Sequence, residues 1–427
     1  MHDKFKKICA TVIEKSIGEP PLTYKVALAA NGAAMRVMKV HSMTRSCNAE
    51  VDTAVTTHLT VAVPTSEFMY LMSNGRGDLK VQISTYANGK HLETETLYGV
   101  STTPIDPNFN LQSKNTGSAD DTGITIVTLE LYPEPIWLNR LRPIGTTFQE
   151  ETPLTAVKFI LASLTQGYLP STNAHSIVYE EEEQKHYHSI QIPDNTPFLG
   201  VFDYIQNHYG VYSKGIAVCY HKQTWRCFKP YDVEKYKTPA KRLCIYALNP
   251  EHGNQLERSL HVDGNTYSIV TVGDPVLNDD RDIEALNGGT GYRVASVRSL
   301  DMRTGTLDPD TDNVTTPDEY ISTSNPNPHK TGLGNVQTIT ERFKDDDKSI
   351  LSEFNRKRGV YAKVQWQRSI YGILYPGMGV KYIYSTPSGL VERYGVLLGE
   401  VYHTSIDGGM LGSDTYVSES ELLLWLV

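Results

Sequence analysis

The chain has 427 residues, of which 39% are hydrophobic and 21% charged, with a formal net charge of −9. This is the composition of a globular protein, and its length corresponds as a soft prior to about two to four domains. No apolar run approaches the roughly 18 residues of a membrane-spanning helix. The acidic balance leaves no electrostatic footprint for gripping nucleic acid or an anionic lipid surface.

In chain order, MHDKFKKICATVIEKSIGEPP comes first. It sets Phe5, Ile8, Cys9, Val12 and Ile13 on one helical stripe, stopped by Gly18 and Pro20–Pro21. No apolar core of about 7–15 residues follows its lysines, so it does not read as a secretory signal. This amphipathic helix, within 1–21, is expected to dock on its own domain or on a neighbouring subunit.

From residue 22 the pattern turns to period two. In VTTHLTVAV (55–63), Val55, Leu59, Val61 and Val63 share one face, and Thr56, His58 and Thr60 share the other. LKVQIST (79–85) and GITIVTLEL (123–131) follow the same rule, with turn signals at Asn31-Gly32, Asn74-Gly75 and Asn88-Gly89 between the strands. A first β-domain over 22–140 results.

The segment 141–242 is of another kind. TPLTAVKFILASLTQG predicts a helix over 153–166, with Thr152 as its cap, Pro153 at its first position, an apolar face at Val157, Leu161 and Leu164, and Gly167 as its stop. NTPFLGVFDYIQNHYG repeats that grammar and predicts a helix over 197–209. Here Thr196 caps, Phe198, Phe202, Ile205 and Tyr209 form the stripe, and Gly210 terminates. A hairpin over 215–229 follows, with HKQT at its tip and Cys219 able to face Cys227 across it. Neither the helix nor the hairpin can bury its apolar side alone, so they read as one α+β unit.

Strand patterning resumes over 243–427, in YSIVTV (267–272), GYRVASV (291–297), VYAKVQW (360–366) and RYGVLLGEVYH (393–403). The polar, aperiodic stretch 301–336 is expected to be a long loop. A helical patch is expected near 345–357.

Chemistry-bearing motifs are sparse. Five cysteines (Cys9, Cys47, Cys219, Cys227, Cys244) include no CxxC and suggest free thiols in a reducing compartment. Phosphate-cradling, dinucleotide, HExxH and GxSxG patterns are missing, so no catalytic, cofactor-binding or metal-binding residue is assigned. His186 and His188 are expected to be exposed strand histidines. Asp308, Asp310, Asp312 and Glu319 have the spacing of a calcium loop but carry Pro309 inside it, so an acidic loop and a loosely built calcium site both stand. Arg76-Gly77-Asp78 reads as a turn into the next strand. Runs Glu180–Glu183 and Asp345–Asp347 read as solvated faces or loops. The 26 tyrosines against 10 phenylalanines suit large interfaces that are wet at their edges.

Three stretches carry a family resemblance: VTTHLTVAVPTSEFMYLMSNGRGDLKVQIS (55–84), the helix–hairpin unit 195–230, and ILYPGMGVKYIYSTPSGLVERYGVLLGEVYHTSID (373–407). Together they cover about a quarter of the chain. Their order resembles the baseplate hub family of contractile bacteriophage tails, related to late control D proteins and to the hub of type VI secretion spikes. The resemblance implies a mostly β fold, α+β overall, with two tail-tube-like β-barrel domains flanking a small inserted α+β domain. It implies a structural virion protein of the tail baseplate, made in the host cytoplasm. Three chains would form a homotrimeric ring that adapts the six-fold tail tube to a three-fold central spike. The implied partners are the tail tube protein, the central spike protein and baseplate wedge or other tail proteins. DNA would only pass through the lumen, and the chain would not insert into a membrane. The rival readings are a tail-associated cell-wall-degrading enzyme, with Glu180, Glu182 or Asp203 as acid and base, and a receptor-binding tail protein.

Overall fold

The computed structural model describes residues 2–30, 32–68, 79–102, 123–166, 176–248, 258–272, 276–278, 293–295, 304–308, 313–315, 336–337, 347–386, 389–406 and 416–427. The chain is mostly β. Its longer elements are α1 (His2–Lys15), β1 (Leu22–Ala30), β2 (Lys39–Asn48), β3 (Thr56–Pro64), β4 (Leu79–Ala87), β5 (Lys90–Ser101) and β6 (Ile124–Pro133), followed by α2 (Glu134–Asn139), β7 (Pro143–Glu151), α3 (Pro153–Gln166), β8 (Ser176–Tyr179) and β9 (Tyr187–Pro197). Then come α4 (Val201–Tyr209), β10 (Ala217–His221), β11 (Thr224–Phe228), β12 (Arg242–Leu248), β13 (Arg258–Asp263) and β14 (Thr266–Val272), and finally α5 (Asp347–Arg358), β15 (Val360–Gln367), β16 (Gly379–Thr386), β17 (Gly389–Ile406) and β18 (Tyr416–Leu426).

Eight strands pair in a closed circuit, β2–β3–β6–β5–β4–β1–β18–β17 and back to β2, every pair antiparallel. Alternation sends Met43, Leu59, Val61, Leu79, Val81, Ile83, Leu97, Val127 and Leu129 to one side, where they make a single core. Asn88 and Gly89 both have positive φ (51° and 73°), the two-residue turn expected between β4 and β5.

A second sheet runs β13–β14–β12–β16–β17–β18–β15, with β12 parallel to both β14 and β16. One face gathers Leu243, Ile245, Ile269, Trp366, Val380, Leu397 and Leu424 into its own core. The opposite face presents Cys244, Leu248, Val270 and Ile383 to Phe5, Cys9 and Val12 of α1. The amphipathic stripe read in the first residues is therefore buried against strands that begin at residue 242.

The hairpin β17–β18 belongs to both sheets. Gly389–Val396 of β17 pair with β16, whereas Gly399–Ser405 pair with β2. A register shift between Leu397 and Gly399 marks the crossing. Leu397 faces the second core, and Leu398 packs with Tyr231 and Trp425. At Gly399 a Cβ would lie 2.0 Å from the Cys47 carbonyl oxygen, so only glycine lets β17 pass β2 this closely.

Between the sheets lies the α+β unit. β7 pairs with β9, and β8, β11 and β10 form a three-stranded sheet with β8 parallel to β11. Val157, Leu161 and Leu164 of α3 meet Phe198, Phe202, Ile205 and Trp225 in one core, so helix and hairpin pack together as their apolar faces require. Trp225 donates its indole N–H to Thr165 Oγ1 at 2.9 Å.

Four readings change. Thr196 does not cap a helix: it pairs with Ile144 in β9 and donates its hydroxyl to the Pro193 carbonyl. Strand pairing with β7 carries the extended backbone through Pro197 (φ −59°, ψ 141°), so a 3-10 turn at Phe198–Gly200 precedes α4. Cys219 sits opposite Arg226 rather than Cys227, and its sulfur lies 3.0 Å from Cys47 Sγ. Glu180–Glu183 is a loop, one of the two readings, but Glu180 and Glu182 are half-buried in ion pairs rather than solvated: Glu180 pairs with Lys235, and Glu182 with Lys229 and Lys348. Finally, 301–336 is not all loop. Thr304–Asp308, Asn313–Thr315 and Val336–Gln337 join Arg293–Ala295 in a four-stranded sheet, where β-branched Thr and Val suit the ladder.

Candidate functional site

In-phase positions explain how the first circuit ends. Arg45 and Cys47 follow Met43 on the inward face of β2, Glu93 and Glu95 precede Leu97 on β5, and Glu400 and Tyr402 precede Thr404 on β17. One end of the circuit is therefore apolar inside and the other polar. The polar end opens into a cavity of about 290 Å³, closed over by the β10–β11 turn, the start of α2 and the loop 371–376. Mouths of this kind are common ligand sites in β-barrels.

The cavity is organised around paired charges. Arg45, 5% exposed, reaches Glu95 at 2.5 Å and lies 4.2 Å over the Tyr371 ring. Burial disfavours the guanidinium charge, but Glu95 and the surrounding tyrosines more than compensate, and Arg45 stays protonated. Lys222 comes from the turn above, reaching Glu93 at 3.3 Å and the same Tyr371 ring at 4.5 Å. His221 Nδ1, Arg45 Nε and Nη1, and Glu93 Oε1 are buried without a hydrogen-bond partner among the described residues. Burial, then Lys222 and Arg226, push the His221 imidazole down to about 3, so it is neutral. Burial raises the Glu400 carboxyl to about 7, against a 2.6 Å hydrogen bond from Ser420 and the pull of Lys222.

Chemically, this is a neutralised polar plug with one carboxyl that titrates near neutrality. Glu93 and Glu95 are each held by a cation. The Cys47 thiol is kept protonated by its hydrogen bond with Cys219 and by burial, the reverse of an activated nucleophile.

A second junction ties all three parts together. Glu50, just past β2, accepts hydroxyl hydrogen bonds from Tyr231 of the inserted unit and Tyr361 of β15, each at 2.5 Å. Burial and the Glu50 carboxylate push both phenols well up. Trp425 closes the junction by donating to the Arg356 carbonyl at 3.1 Å.

The candidates named from sequence do not converge. Glu180 and Glu182 belong to the lysine cluster, while Asp203, its carboxyl raised by burial, lines a separate cavity of about 30 Å³ beside 49–53. His188 is exposed and contacts Glu150, and His186 precedes the strand. Among the described residues no three metal-ligating side chains gather. Arg76-Gly77-Asp78, Asp310, Asp312 and Glu319 lie outside the described residues. Arg45, Glu93, Glu95, Glu400 and the Glu50 junction were not read from the sequence. The usable signal was charged residues falling in phase with an apolar strand face.

No protein-family model matches the chain, and no curated protein matches it. Several solved structures are similar to it. A tail protein from Neisseria meningitidis MC58 is 12% identical, with a TM-score of 0.49 over 94% of this chain and 96% of its own. A 43 kDa tail protein of prophage MuSo2 from Shewanella oneidensis is 7% identical, with a TM-score of 0.46 over 96% of both chains. An E. coli component of the type VI secretion system is 12% identical, with a TM-score of 0.39 over 92% of this chain and 76% of its own. Among the described residues no helix is long and apolar enough to cross a membrane.

Proposed function

We propose that the chain is a structural protein of a phage tail, the baseplate hub, acting as a homotrimeric ring between the tail tube and a central spike. The observation that carries this reading is the β17–β18 hairpin, continuous through both sheets. A ring in which each chain supplies two tube-like bodies needs those bodies fixed relative to one another. Shared strands fix them more firmly than a linker would, and the Glu50 junction adds the inserted unit to the same rigid body. The working division is 22–140 and 243–427 for the tube-like bodies and 141–242 for the insert, with β17–β18 lent to both. In this reading the contacts are with tail tube, spike and other baseplate proteins, DNA only passes through the lumen, and the work is mechanical rather than catalytic. Closed cyclic assembly would also cover sheet edges that a single chain leaves open.

Light scattering on the purified chain, alone and with a trimeric spike protein, tests the proposal. Three chain masses, with an open-centred six-lobed ring in negative stain and no cleared zone on a peptidoglycan gel, is the expected result. A chain that stays monomeric at every concentration and with the spike would sink it.

A further inference from the structure

We propose that Cys47 and Cys219 form a disulfide bond in the folded protein when it meets a small disulfide oxidant, clamping the inserted unit to the first circuit. The two sulfurs lie 3.0 Å apart, inside van der Waals contact, although 172 residues separate them in sequence. Both are buried in a cluster with Ala49, Ala217, Phe228 and Val396, where the two alanines let β10 lie close to the end of β2. Backbone hydrogen bonds hold both sides in place. The Tyr220 N–H donates to the Thr53 carbonyl at 2.7 Å, and the Ala49 N–H donates to the Leu398 carbonyl at 3.0 Å. The thiols therefore need no rearrangement of the elements that carry them.

Access is one-sided. Cys47 lines the cavity of about 290 Å³ at the mouth of the circuit, while Cys219 is fully buried behind it. The Cys47 thiolate attacks one sulfur of the small disulfide, forming a mixed disulfide and releasing one small thiolate. The Cys219 thiolate then attacks Cys47 Sγ, forming the protein disulfide and releasing the second. The two protons shed by the protein thiols end on the two released thiolates, so two cysteines are oxidised as one small disulfide is reduced. Hydrogen bonding and burial keep Cys47 protonated, which makes the first step slow at neutral pH and faster as pH rises. The other cysteines are placed differently: Cys9 is on the buried face of α1 and Cys244 on the strand beneath it, and Cys227 faces Tyr212. This inference does not depend on the tail reading, because the chemistry is within one chain.

The test uses the intact folded chain, treated with 2-hydroxyethyl disulfide at mildly alkaline pH, quenched with an alkylating agent and unfolded. Two of the five thiols should be lost, and peptide mapping should show Cys47 joined to Cys219, reversibly with dithiothreitol. Cys9→Ser should leave the link intact, and Cys219→Ser should stop the reaction at a mixed disulfide on Cys47. Five free thiols, a wild-type chain that stops at the mixed disulfide, or a link between any other pair would overturn the proposal. Because the mapping is done on the wild-type chain, a variant that fails to fold does not blunt it.

Discussion

The charged residues that matter here point inward, and each is held by something the strand pattern supplies. Glu400 illustrates the consequence. Its folded value, about 7, lies above the usual 4.5, so the neutral form is the one the fold favours. The stability it contributes is therefore fully present below about pH 4.5 and is lost as pH rises through about 7, on the order of 3 kcal/mol. Glu400→Gln removes that dependence. Urea midpoints of wild type and variant should differ little near pH 4 and diverge in the variant's favour by pH 8; a constant difference across the range would show that Glu400 does not titrate there. At this scale the sequence was legible only in part. The stripes Phe5–Cys9–Val12 and Val157–Leu161–Leu164 could be read because helical spacing repeats locally. Glu50 could not, because its partners Tyr231 and Tyr361 lie 181 and 311 residues away.

Among the elements, strand patterning predicted β3, β4, β6 and β15 well, since mainly one face of each is buried and the period shows directly. Helix α4 was placed too early because capping grammar is local, and the β7–β9 pairing overrides it. The β10–β11 turn falls at HKQT, the expected hairpin tip, though without the residues that usually make such a turn. Lys222 and Gln223 both adopt positive φ (49° and 58°) with neither Asn nor Gly present, a strain offset by the Lys222–Glu93 pair and the Tyr371 ring below. The bulge in β17 offers a direct test of how tightly the elements meet. Gly399→Ala places a methyl 2.0 Å from the Cys47 carbonyl and should lower stability by at least about 2 kcal/mol, read as a drop in thermal midpoint. Gly200→Ala, with open space around its Cβ, should stay within about 1 kcal/mol of wild type. Equal effects at both positions would mean that β2 and β17 can part without cost.

For the whole molecule, composition and the order of segments pointed to a β-rich chain with an α+β unit at its middle, and the described residues have that arrangement. What the sequence hid is that β17 and β18 serve both sheets, because register and partner choice are not written in the pattern of a single strand. That arrangement also dictates an order of events in folding. Residues 22–133 supply six of the eight strands of the first circuit, and Ala33–Met35 covers the end of β1, but the start of β1 and one side of β2 stay unpaired until β18 and β17 arrive. Met43 receives the hydroxyl of Thr404 across 361 residues of chain. Such non-local closure is slow, and it leaves two bare edges exposed in the meantime. A fragment of residues 22–140 expressed alone should therefore be insoluble or aggregate, and adding a separate 389–427 peptide during refolding should rescue part of it into a soluble form. A soluble, cooperatively melting 22–140 fragment would show that the circuit can close without the borrowed strands. During synthesis, then, the first body begun is among the last completed, and the growing chain has to be kept from pairing its open edges with a neighbour until its final strands are made.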